Sequence, residues 1–252
     1  MTAAAALRPD SPAGVPIRRI ARTIAILILA SAVFGGLGES YIPSRIIVSS
    51  DAAATAANIT GSPMLFRLGF ATYLVEAVCD VALALLFYVL LRPAGPRLAL
   101  FSAFLGLLST ALYAVAEAFY FAPSVILSGA DYLKTFSPEQ LHTLSLLSMR
   151  LFGKIAGIFL CWYGLATVIR GYLIYRCGYL PRILGVLFGI AGAAFVADSL
   201  AAVLAPQLVS AYWLMPMGIA GIVLMLWLSV KGVDVERWRA AAEAIDRGGL
   251  AA

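Results

Sequence analysis

Six runs of apolar residues constrain this chain more than any other feature. They cover Ile20–Leu37, Met64–Leu91, Leu98–Ala122, Leu144–Ile169, Arg182–Leu204 and Tyr212–Val230. A hydrocarbon core about 30 Å thick is crossed by roughly 20 helical residues. Backbone groups inside it must bond to one another, which a helix achieves within a single segment. The expected fold is therefore all-α: a polytopic membrane helix bundle with six transmembrane helices. Composition agrees, at 62% hydrophobic, 12% charged and a mean hydropathy of +0.95, where a soluble domain is nearer a quarter charged.

Turn chemistry separates the runs. Arg92-Pro93-Ala94-Gly95-Pro96-Arg97 stops the second sharply, and Pro206 closes the fifth. Ser137 is placed to N-cap the fourth helix, with Pro138 at its first position and Gln140 completing a capping box. Arg176–Pro181 forms the turn into the fifth span. Glu39–Pro63 reads as the longest loop, carrying a short surface helix over Asp51–Ile59, and it leaves Glu39 outside the membrane. Ala30-Ser31-Ala32 resembles a signal-peptide cleavage site, yet the apolar character continues past it, so the uncleaved reading is preferred. The domain reading is a disordered cytoplasmic tail over residues 1–19, a membrane domain over 20–231 and a cytoplasmic amphipathic tail over 232–252. In that last tail Val235, Trp238, Ala242 and Ile245 share one helical face, which suits a helix lying on the membrane surface.

The formal charge of +5 does not indicate nucleic acid as a partner, because the basic residues sit mostly at the ends of apolar runs. With both termini inside, the inner segments hold thirteen lysines and arginines, Arg170 among them, and the outer loops hold Arg45 and Lys134. That bias predicts cytoplasmic termini in a multi-pass protein of a bacterial inner (plasma) membrane. The lipid bilayer is then the certain partner, and the sequence is silent on oligomeric state. Cys79, Cys161 and Cys177 lack zinc or disulfide spacing. A single histidine, His142, excludes bis-histidine haem ligation within one chain, so no cofactor is expected.

Beyond the inner basic set, which includes Arg22 and Arg182 at the ends of their runs, seven ionisable residues remain within the spans: Arg67, Glu76, Asp80, Glu117, Arg150, Lys154 and Asp198. Arg150 and Lys154 lie four apart and share one face of the fourth span, as Glu76 and Asp80 share one face of the second. At about 1.5 Å of rise per residue, most of the seven fall in the outer half of the bilayer. Unpaired charges are costly there and mark functional sites by default. Glu76, Asp80, Glu117, Arg150, Lys154 and Asp198 are therefore the candidate ligand or proton pocket, acids facing bases, with no catalytic or metal residue assigned. Gly153/Gly157 and Gly185/Gly189 each spell G-x-x-x-G and predict close helix packing within the chain.

At Gly171–Leu187, G-Y-L-I-Y-R-C-G-Y-L-P-R-I-L-G-V-L, the sequence resembles a bacterial integral-membrane family catalogued as domain of unknown function 4386. Asp51–Ile59, Leu65–Gly69, Cys79–Pro93 and Trp227–Val233 resemble the same family. Two positions depart from its pattern: Ser50 stands where glycine is frequent, and Ala166 where a histidine is frequent. The resemblance implies the polytopic architecture and no activity.

Three uses of such a pocket fit the residues. It binds or passes a small polar solute or ion, with Glu76 or Asp80 proton-linked and Arg150 and Lys154 holding an anionic part. Alternatively the acids transfer protons in a membrane-embedded enzyme, although no reaction is indicated. In the third reading a static salt-bridge cluster only sets helix order or serves a partner-binding protein.

Overall fold

The computed structural model describes residues 15–249. The expected N-terminal tail lies largely outside them. Among the described residues six helices are long and apolar enough to cross a membrane, and there is no strand. The first crossing is compound: α1 (Ile17–Gly35), a π-helical turn (Gly36–Tyr41) and α2 (Ile42–Ile46) follow one another without a break. After α3 (Ala52–Gly61) come α4 (Pro63–Leu91), α5 (Pro96–Ile126), α6 (Pro138–Cys177), α7 (Arg182–Leu204), α8 (Met215–Val230) and α9 (Val235–Gly249).

Local chemistry accounts for the boundaries. Ser137 Oγ accepts from the Gln140 amide at 3.3 Å and Gln140 Oε1 accepts from the Ser137 amide at 2.8 Å, the reciprocal box that opens α6. At its other end Gly178 takes the left-handed conformation, φ 73°, which a side chain would resist. The 40 residues of α6 make it about 60 Å long, twice the hydrocarbon thickness and more than one crossing needs. α3 packs beside it. Asp51 caps α3 by accepting the Ala54 amide at 2.8 Å. Asp51→Ala is expected to cost about 1 kcal/mol, read as a lowered melting temperature with α3 the first segment to gain hydrogen exchange.

Two buried clusters hold the bundle. At the end carrying both termini, Ile17, Leu90, Leu91, Leu173, Ile174, Leu184 and Trp238 are packed shut. At the far end Tyr73, Tyr113, Tyr120, Phe66 and Phe152 form an aromatic cluster with Ile42, Ile46 and Ile59. The amphipathic face expected in the C-terminal tail exists, and it packs on protein: Trp238 is 3% exposed, with Val235 and Ala242 beside the same core.

The two G-x-x-x-G motifs part company. A Cβ on Gly185 would stand 2.5 Å from the Tyr175 amide nitrogen and 2.6 Å from the Gly171 carbonyl oxygen, so α6 and α7 touch backbone to backbone. Gly153 would meet nothing within 4 Å and Gly157 only the Ala202 methyl at 3.9 Å. The expectation of close packing at Gly153/Gly157 is corrected: that stripe borders a cavity.

Candidate functional site

Between the two clusters the helices separate around a cavity of about 1100 Å³. Its first wall is the compound helix. The reading of Glu39 as an outer-loop residue is overturned, because the π-helical turn carries the chain on through Tyr41 and Glu39 lines the cavity. A π-turn inserts one residue into the helical register and so rotates the side chains beyond it. Glycine makes this possible. A Cβ on Gly35 would lie 2.5 Å from Glu76 Oε1, and one on Gly38 would collide with the Thr72 hydroxyl. The bare backbone of α1 thus lets the polar face of α4 approach.

From α4 the wall takes Glu76 and Asp80. Ser31 of α1 donates to Asp80 Oδ1 at 3.0 Å. Tyr113, buried in α5, faces the carboxyl groups of both Glu39 and Glu117. Arg150 and Lys154 of α6 and Asp198 of α7 line it as well.

Of the six expected pocket residues, Glu76, Asp80, Arg150, Lys154 and Asp198 line this one cavity. Glu117 lies off its wall, 3% exposed. Direct acid–base pairing, expected from the opposed faces, is not what the geometry uses. Among the described residues no ion pair involves Arg150, Lys154 or these acids; the pairs Lys134–Asp131 and Arg237–Asp234 lie elsewhere. Arg150 instead donates to the Ser49 carbonyl, tying α6 to the segment before α3. Lys154 is exposed to the cavity.

Sequence reasoning missed two further residues. Glu39 was hidden because G-G-L-G-E looks like the start of a loop; its signal was glycines spaced to admit a neighbouring helix. Arg170 was counted among the inner basic residues, yet it lies two turns inside α6, 4% exposed. Its guanidinium stacks over the Phe87 ring at 5.0 Å, with Tyr163 and Asp80 as polar neighbours. Gly106 provides the room, since a Cβ there would sit 2.7 Å from an Arg170 terminal nitrogen.

Glu76 Oε2, Glu117 Oε2, Asp198 Oδ1 and Arg170 Nε are buried without a hydrogen-bond partner among the described residues. Folded proteins keep such atoms few. The chemistry on offer is carboxyl oxygens able to take up a proton or a donor, and cationic groups able to take up an anion. Among the described residues no three His, Cys, Asp or Glu side chains are grouped as metal ligands.

Comparison with curated proteins and with solved structures finds no match. A family model described as Domain of unknown function (DUF4386) matches residues 23–232, which include every cavity residue named above.

Proposed function

Because the chain belongs to the DUF4386 family, a membership that brings no activity with it, we propose a function from its own cavity: it binds or passes a small polar solute or ion. The solute's anionic part is held by Lys154 with Arg150, and Glu76 or Asp80 is the proton-linked partner. One observation carries the reading. Charges of both signs line a single cavity of about 1100 Å³ without neutralising one another. Cavities of roughly 300–1,000 Å³ or a little more are the size of small-molecule sites, and intramembrane charges facing such a space mark solute or ion pathways.

The same reading puts the protein in a bacterial plasma membrane with both termini in the cytoplasm. Among the described residues, and with Arg170 removed from the count, eleven basic residues still stand at the termini end against Arg45, Arg67 and Lys134 at the far end. The cavity then faces outward, and the packed cluster at the termini end closes it from the cytoplasm.

The test is a thermal-shift screen of the purified protein with acetate, glutamate and inorganic phosphate. A solute at a hundred times its Kd stabilises by about 2.7 kcal/mol, a shift well within reach. Lys154→Met is expected to melt with the wild type when unliganded, since Lys154 has no partner to lose, and to forfeit the ligand-induced rise. A screen that moves no melting point, or a variant that responds as the wild type does, would refute the reading.

A further inference from the structure

A side branch of about 360 Å³ leaves the main cavity between α1 and α8 and ends at Arg170. Its walls are apolar: Ile28 and Leu29 of α1, Phe87 of α4, Phe188 of α7, Ile222 and Met225 of α8. Leu29 and Ile222 are 52% and 57% exposed, so the branch opens sideways, toward the bilayer, rather than along the bundle axis.

What lies at its blind end is unusual. Arg170 is buried, one face of its guanidinium is covered by Phe87, and among the described residues no carboxylate or carbonyl accepts from it. Asp80, the nearby acid, is engaged by Ser31 and forms no ion pair with it. Glu39 and Glu76 also border the branch, but at its mouth. Glu76 and Phe87 are eleven residues apart on α4, about 16 Å along the axis. The branch is thus acidic where it joins the vestibule and cationic at its far end.

We infer that this branch binds a single-chain amphiphile with a carboxylate head, the head on Arg170 and the tail directed between α1 and α8 into the bilayer. Phe87 covers one face of the guanidinium and one terminal nitrogen lies against Gly106, while Nε has no acceptor among the described residues. An anionic head is the complement of a buried guanidinium whose hydrogen-bonding capacity is unmet. A volume near the lower limit for ligand sites holds one short chain, not a two-chain lipid. The site is separate from the solute reading above, which rests on Lys154.

The probe is a diazirine-bearing decanoic acid, photocrosslinked to the full chain in nanodiscs and mapped by mass spectrometry. Labelling is expected on the α1 and α8 residues of the branch, and decanoate is expected to compete where decylamine does not. Arg170→Gln is expected to weaken competition by decanoate at least about tenfold, the loss of a charge-assisted hydrogen bond. Arg170→Lys, which keeps the charge, is expected to retain part of it. Gly221→Leu fills the branch without touching Arg170. The Gly221 Cβ position is 3.9 Å from Ile28, an ordinary contact, so this variant is expected to fold and to lose the labelling. Lys154→Met is expected to label as the wild type does. Labelling that decanoate fails to displace, that decylamine displaces equally, or that survives Gly221→Leu would overturn the inference.

Discussion

Gly171→Val is expected to abolish a stable bundle. A Cβ at 171 would stand 2.6 Å from the Gly189 amide nitrogen, 2.7 Å from the Gly185 carbonyl oxygen and 3.1 Å from the Gly189 Cα. Each of these is a backbone atom, so no side chain can rotate away. The helices would have to part, and they cannot do so locally. Two turns along the same seam, a Cβ on Gly164 would lie 2.7 Å from the Gly192 carbonyl oxygen, and one on Gly192 2.5 Å from that of Gly164. In a bilayer, contacts of this kind are themselves the driving force for association, since lipid tails are as apolar as the side chains they would replace. Overpacking a well-fitted core costs about 1–3 kcal/mol, and the backbone clash here belongs at or above the top of that range. Purified Gly171→Val should run as aggregate on size exclusion, or melt far below the wild type. Gly189→Ala is the matched control, because its own Cβ meets nothing within 4 Å. If Gly171→Val melts with the wild type, the close approach of α6 and α7 is wrong.

Trp238→Ala is expected to release α9 and loosen the termini end of the bundle. The Leu90 carbonyl belongs to the last turn of α4, where carbonyls have no partner within the helix. Trp238 Nε1 donates to it at 2.9 Å and the Tyr179 hydroxyl at 2.8 Å. Burial pushes the Tyr179 hydroxyl well above its ordinary range, so it remains a donor at neutral pH. The α8–α9 connection is tied to the same place, the Asp234 amide donating to the Tyr179 carbonyl at 3.3 Å and Arg237 to that of Gly178 at 3.3 Å. Truncating a buried tryptophan costs about 3–5 kcal/mol. The readout is trypsin cleavage at Arg237 and Arg239, slow in the wild type and fast in Trp238→Ala. Trp238→Phe keeps most of the packing and loses the bond, about 1 kcal/mol, so it should fall between them. Equal cleavage of all three would show that α9 does not close this end.

Six spans, the Ser137 box, the turn over Arg176–Pro181 and the presence of Glu76, Asp80, Arg150, Lys154 and Asp198 within helices were all legible in the sequence. Each depends on properties of a single segment: transfer free energy over some 20 residues, a hydroxyl three positions before an amide, a backbone angle that glycine tolerates. The remainder depends on how segments meet. Glu39 joins the acids only because a π-turn rotates it toward α4, and that turn persists because Gly35 and Gly38 lie against Glu76 and Thr72. Arg170 turns inward only because Gly106 of another helix leaves room for it. Gly185 packs and Gly153 does not, though both stand in the same motif, because only one of them faces a second helix at contact distance. Spacing along a helix defines a face, and the neighbour that face meets is chosen by the packing of all the helices together.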